Sequence, residues 1–189
     1  MIYDSKTTAK AVIDDVINEA DIALEIPAAT YLRWLNELEQ NIYGGIIKGT
    51  RKEETTGADG KITIGGAVED ITAIYAGTDA LAKVSAELLP IVGNSNFYAI
   101  SNGEVLTNYG DAEFTVYYTE RPPLKTESNY NTETVKLPAE FLELAYCKLR
   151  GEAYKLANED GLAAKWLADY NAQIADFAVW HEQRKGYGE

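Results

Sequence analysis

Leu137-Pro-Ala-Glu-Phe-Leu-Glu-Leu-Ala-Tyr146 and Gly161-Leu-Ala-Ala-Lys-Trp-Leu-Ala-Asp-Tyr170 are the stretches on which the reading of this chain turns. The first opens a helix, since proline is tolerated in a first turn, where its missing N–H would have no partner anyway. The second opens another helix that runs to Trp180. Phe141, Ala145, Leu149, Ala153 and Leu156 form one apolar stripe, and Trp166, Tyr170, Ile174 and Phe177 form a second. Asn158-Glu-Asp-Gly161 supplies the turn between them, and so short a connection predicts an antiparallel pair.

Working outward, Val12, Ile13, Val16, Ile17 and Ala20 recur at helical spacing across residues 8–20, with Asp4 or Ser5 placed to cap the first turn. After Ile26-Pro27, the series Tyr31, Leu35, Leu38, Ile42 and Ile46 predicts a second helix of about five turns. Gly44-Gly45 weakens its end, so it should stop near Gly49. Residues 51–60 are polar and aperiodic and read as a linker. Short β-branched or aromatic runs follow at 62–64, 71–75, 97–100, 104–107 and 112–118. Ser101-Asn102-Gly103 makes 97–100 and 104–107 a hairpin, because Asn-Gly tolerates the positive φ of a tight turn. Arg121-Pro122-Pro123 ends the last strand. Asp79–Leu89 reads as a short helix over the sheet, and 124–136 as the returning linker.

The fold class expected from this pattern is α+β. The N- and C-terminal helical pairs make a four-helix core, and a β-rich module is inserted between them. The corresponding domains are 1–50, the N-terminal hairpin; 51–136, the module with its flanking linkers; and 137–189, the C-terminal hairpin and tail. Each hairpin alone is too small for its own core, so the two ends share one, and two independent cores are not expected.

Composition narrows the function. With 46% hydrophobic residues and a mean hydropathy of -0.25 the chain reads as an ordinary soluble domain, with no window of the roughly 18 to 20 apolar residues a membrane span needs. Met1-Ile-Tyr-Asp-Ser-Lys6 has neither a basic start nor an apolar h-region, so export is not indicated. Cys147 is the single cysteine, which excludes an internal disulfide and a cysteine-based zinc site and points to a reducing cytoplasm. A formal charge of -13 is the wrong sign for neutralising phosphates, although like charge also suits a surface past which DNA slides without sticking.

Chemistry finds no support. His181 is the sole histidine, so no His-based triad or multi-His metal site exists, and it reads as a helix-end residue. Cys147 reads as a buried structural thiol, and Asp169 with Asp176 or Asp15 with Glu19 as solvated helix faces. Neither Gly44-Gly45 nor Gly65-Gly66 has the context of a phosphate loop. The expectation is a non-enzyme with no cofactor and no metal. The 13 tyrosines are unusual, and Tyr43, Tyr117, Tyr118, Tyr130, Tyr154 and Tyr187 are candidates either for interfaces or for the rim of the core. Tyr187, between Gly186 and Gly188, suits a tail that orders on binding.

The Val12-Ile-Asp-Asp-Val-Ile17 stripe, Trp34-Leu-Asn-Glu-Leu-Glu-Gln-Asn-Ile-Tyr43, the β-rich middle and the Leu137-Pro-Ala-Glu-Phe141 start of a terminal helical pair together resemble the head-tail connector (portal adaptor) proteins of tailed bacteriophages. The size of the middle region is similar to that of the tail-tubular adaptors of short-tailed phages. The resemblance implies a structural virion protein, made in the host cytoplasm and residing in the neck, which forms a dodecameric ring under the portal and leaves a channel for DNA. It implies the portal, a downstream neck or tail protein and the chain itself as partners, with DNA passing unbound and no membrane involved. Carried onto this chain, portal contacts fall on Arg184, Lys185, Gly186, Tyr187, Gly188 and Glu189, with Trp180 at their base. Tail-side contacts fall on Ser101, Asn102 and Gly103 and on Glu120, Arg121, Pro122 and Pro123. Other readings stay open: a stopper or tail-terminator protein of the neck, or a small non-enzymatic cellular binding module. An enzyme with a carboxylate or metal site would be a third.

Overall fold

The computed structural model describes residues 2–48, 50–65, 68–92 and 96–185. Its contacts divide the chain into two compact units, residues 1–47 with 121–189, and residues 48–120.

The first unit is helical. α1 (Ala9–Glu19) buries Ala9, Val12, Ile13 and Val16, whereas Ile17 of the expected stripe is exposed and Ala20 half-buried. Its cap is Thr8, whose hydroxyl accepts from the Ala11 amide at 3.2 Å. Asp4 and Ser5 instead form a turn, accepting from the amides of Lys6 and Thr7 at 3.0 and 3.2 Å. α2 (Ala28–Ile42) continues into one π-helical turn, Tyr43–Ile47, where Gly44 and Gly45 fall. A 3-10 turn, Ala139–Phe141, leads into α3 (Glu143–Leu156), and α4 spans Asp160–Lys185. Gly151 sits in mid-α3, where glycine costs about 1 kcal/mol against alanine. A Cβ there would lie 2.7 Å from the Leu167 side chain, so its absence is what lets α4 approach α3.

Residues 121–137, of which 124–136 were expected as a linker, are a strap laid along α2. Gln40 donates to the Pro122 carbonyl at 2.8 Å. Asn36 holds Lys125 by both backbone groups, donating to its carbonyl at 2.8 Å and accepting from its amide at 2.9 Å. Lys125 and Glu39 form an ion pair in which each side chain is 1% exposed. The second Glu39 oxygen accepts from the Lys136 amide at 2.7 Å. Burial pushes the Glu39 carboxyl up, and Lys125 and Lys136 draw it part of the way back. Farther on, the strap meets the N-terminal segment: Ser5 donates to the Val135 carbonyl at 3.0 Å, and Val135 to the Thr7 carbonyl at 2.8 Å. Val135 and Leu137 are fully buried beside Leu35, Leu38, Leu144 and Leu149.

The second unit is a closed barrel in the order β1-β2-β6-β5-β4-β3-β7. Its strands are β1 (Thr50–Ala58), β2 (Lys61–Ile62), β3 (Ile71–Ala76), β4 (Asp79–Val84), β5 (Phe97–Ser101), β6 (Glu104–Thr107) and β7 (Ala112–Thr119). Every pairing is antiparallel except β4 with β5. Ile62, Ile74, Leu81, Tyr98, Val105, Phe114, Val116 and Tyr118 fill the interior. The β5–β6 hairpin turns through Asn102 and Gly103 at φ 51° and 76°, as their sequence requires.

The expected fold, a four-helix core carrying an inserted β-rich module, is therefore corrected to four helices plus a closed seven-stranded barrel. Two physical differences lie behind the correction. The helical core is built mainly from α1, α2, α3 and the strap. Among the described side chains of α4 only Ala163, Phe177 and His181 are buried, so α4 is no full fourth member. The β region, in turn, closes on itself around its own core, which contradicts the expectation of a single shared one. Closure leaves no free sheet edge. Residues 51–60 are not a linker but β1 and its turn, and 79–84 form a strand where a helix was expected.

Removing one partner of a buried ion pair leaves an uncompensated charge. Lys125→Ala should therefore destabilise the helical unit by about 3–5 kcal/mol, and Lys125→Met with Glu39→Gln should recover more than half of that. Denaturant unfolding followed by tryptophan fluorescence reads this unit selectively, because Trp34, Trp166 and Trp180 all lie in it. Equal losses in the single and double variants would contradict the reading.

Candidate functional site

The last two turns of α4 gather the residues expected at the base of the tail. Trp180 packs edge-on to Phe141 at 5.1 Å between ring centroids and stacks on Phe177 at 5.7 Å. Tyr3 closes the cluster 5.8 Å from the Trp180 ring, and the Tyr3 amide donates to the Tyr43 hydroxyl at 2.7 Å. Arg184 lies one turn beyond Trp180, so the helical repeat sets its guanidinium over the indole, 4.2 Å from the ring centroid. Glu140, in the 3-10 turn before α3, approaches the same guanidinium at 3.7 Å. Trp180 and Arg184 are thus brought together on one platform, which the N-terminal segment and the start of α3 both support. Lys185 is the final helical residue, and Gly186, Tyr187, Gly188 and Glu189 lie outside the described residues.

His181, read from the sequence as a helix-end residue, lies in the last turns of α4 and is buried. It is 7% exposed, its Nδ1 is 3.0 Å from the Tyr3 hydroxyl, and its Nε2 is buried without a hydrogen-bond partner among the described residues. Its ring stacks on Phe177 at 6.1 Å, so the histidine serves the cluster's packing.

The residues expected on the tail side are more dispersed. Asn102 and Gly103 are exposed at the tip of the β5–β6 hairpin and Ser101 is half-buried beside them. Glu120 ends the barrel segment in an ion pair with Arg51 at 3.6 Å. Arg121 donates to the Gln40 carbonyl at 3.4 Å, Pro122 is buried, and Pro123 is exposed. Arg121–Pro123 therefore begin the strap and are held against α2, a role the sequence signal of a strand-ending Pro-Pro did not disclose.

Among the described residues no group of histidine, cysteine and carboxylate side chains is arranged to hold a metal ion. Both carboxylates of the Asp15–Glu19 pair have structural partners: Asp15 accepts from the Tyr146 hydroxyl at 3.0 Å, and Glu19 pairs with Arg150. Arg150 also lies 4.7 Å from the Trp166 centroid, which makes Trp166 the lid of a cation contact more than a core residue. Tyr43, Tyr118 and Tyr154 are buried, which removes them as interface candidates.

What sequence reasoning missed altogether is a groove of about 520 Å³ between α2 and the strap, lined by Ala29, Leu32, Asn36, Gln40 and Leu124. Its only sequence signal was an apolar residue, Leu124, directly after two prolines.

Residues 7–188 match the family model described as SU10 adaptor protein. No curated protein matches the chain.

Two measurements test this geometry. Phe177, fully buried, should cost about 3–5 kcal/mol when cut to alanine, whereas half-buried Trp166 should cost clearly less; equal costs would contradict the placement of α4. Burial, with Glu143 nearby, pushes the Cys147 thiol up to about 11. Because only the thiolate reacts, the native protein should resist an aromatic disulfide reagent at pH 8 and react at once in denaturant. Rapid labelling of the native state would show that the α3–α4 contact opens.

Proposed function

This chain belongs to the SU10 adaptor protein family, a family of phage head-tail adaptors, and we propose that it joins portal to tail as a ring around the DNA path. Family membership makes it a structural component of a virion that interacts with other virion proteins. The finer reading is a dodecamer seated under the portal in the neck, in which Trp180, Arg184 and Lys185 carry residues 186–189 to the portal. Ser101, Asn102, Gly103 and the 120–123 segment meet the next neck or tail component. DNA passes without specific contact, consistent with a formal charge of -13, which removes non-specific attraction to phosphates.

The observation that carries this reading is the anchoring at the end of α4. A segment that must reach a partner needs a rigid base, and ordering it on binding is less costly when its first residues are already fixed. The Trp180–Arg184 stack, backed by Phe141, Phe177 and Glu140, is such a base.

Deletion of residues 186–189 removes nothing from the described core. The shortened protein should keep its circular dichroism and unfolding midpoint and bind the portal encoded beside it at least tenfold more weakly. Undiminished binding would overturn the assignment of the C-terminal residues.

A further inference from the structure

Tyr3 ties the two ends of the chain together. Its ring lies 6.5 Å from Phe177, 5.8 Å from Trp180 and 6.1 Å from His181 between centroids, and its amide donates to the hydroxyl of the fully buried Tyr43 at 2.7 Å. Behind Tyr3 the same segment is paired with the strap. The Ser5 amide donates to the Val135 carbonyl at 3.0 Å, the Val135 amide to the Thr7 carbonyl at 2.8 Å, and the Ala9 amide to the Glu133 carbonyl at 2.9 Å. Core contacts therefore place the Tyr3 ring at the end of α4. Its hydroxyl, 3.0 Å from Nδ1, is the only hydrogen-bond partner of the His181 side chain among the described residues. With Nε2 already unpaired, this one bond is what holds a polar ring inside an apolar cluster.

We infer that Tyr3 is a positioning residue for the portal contact: the Tyr3–His181 bond clasps the last turns of α4, and with them Arg184, in the position from which residues 186–189 reach the portal. This rests on the tail reading above and names what controls it. A helix end frays unless something outside the helix holds it, because its last carbonyls have no intrahelical partner. His181 stands between Trp180 and Arg184, so the turn that carries the buried imidazole also carries the guanidinium. Loss of the Tyr3 hydroxyl leaves both nitrogens of a buried ring unpaired. Turning the ring out to water relieves that, and it unseats the stack of Arg184 on Trp180. Replacing both partners by apolar rings instead removes the demand itself. The N-terminal segment, 178 positions away in sequence, thus decides whether the base of the tail is ordered.

A double-mutant cycle tests the clasp. Tyr3→Phe keeps the ring contacts and removes only the hydroxyl. It should speed amide hydrogen exchange across residues 178–185, leave exchange in α2 unchanged, and weaken binding to the portal about tenfold, the loss expected when a buried polar group is left unpaired. Adding His181→Phe makes the pair wholly apolar, and should return both exchange protection and portal binding to within about twofold of the native protein. Native exchange and binding in Tyr3→Phe would overturn the inference, as would a double variant no better than the single one, because a loss of packing alone is not rescued in this way. Deletion of residues 186–189 separates the two claims. Portal binding weakened by that deletion but untouched by Tyr3→Phe overturns the clasp and leaves the tail reading intact. Binding untouched by the deletion, with exchange across 178–185 raised by Tyr3→Phe and restored in the double variant, overturns the tail reading and supports the clasp.

Discussion

The buried Glu39–Lys125 pair is the constraint on which the helical unit depends. Two charges at 1% exposure are tolerated only with close pairing and full hydrogen bonding, and Glu39 obtains both, from the Lys125 ammonium and the Lys136 amide. Meeting that demand fixes the strap along α2. With Lys125 and Lys136 both referred to one carboxylate, the segment between them has little freedom. Val135 can then pair with Ser5 and Thr7, and Leu137 enters the core just before the Pro138 that starts the helical return. Residues from both ends of the chain thus share one hydrophobic cluster.

The same constraint shapes what the surface can do. Clamping the strap on either side of Leu124 presents an apolar residue beside a groove, and locking the N-terminal segment delivers Tyr3 to the aromatic cluster at the end of α4. A structural adaptor works through surfaces, not through reacting groups, and its interactions depend on how rigidly those surfaces are held. Here the two surfaces of interest, the groove and the Trp180–Arg184 platform, are both held by contacts between residues far apart in the chain.

The sequence disclosed the helices well because amphipathic periodicity survives whatever the tertiary context: α1, α2 and α3 bury most of the residues their spacing selects, with Ile17 and Leu156 exposed as the exceptions. The hairpin at Asn102-Gly103 was equally legible, since that dipeptide encodes its own backbone angles. β1 was not. Thr50–Ala58 carries no large apolar residue, and it is a strand because its backbone pairs with β7 along eight positions from Thr50↔Thr119 to Gly57↔Ala112. Gly57 is small where the Phe114 ring lies, only 2.6 Å from where a Cβ would be. β4, Asp79-Ala-Leu-Ala-Lys-Val84, has helix-favouring composition that pairing with β3 and β5 overrides. The strap escaped notice because its hold on α2 comes from polar residues, Asn36, Glu39 and Gln40, which helical periodicity assigns to no particular partner. At the site, Trp180 and Arg184 were legible by position, whereas Tyr3, Phe141 and Glu140 join them only through the fold.

The central claim is that this protein acts as a multi-copy ring on the portal. Native mass spectrometry of the purified protein with its cognate portal measures that directly, by counting copies in the complex. The account predicts a single species with twelve copies bound per portal ring. A portal that retains its own mass, or that takes up only one or two copies, would contradict it.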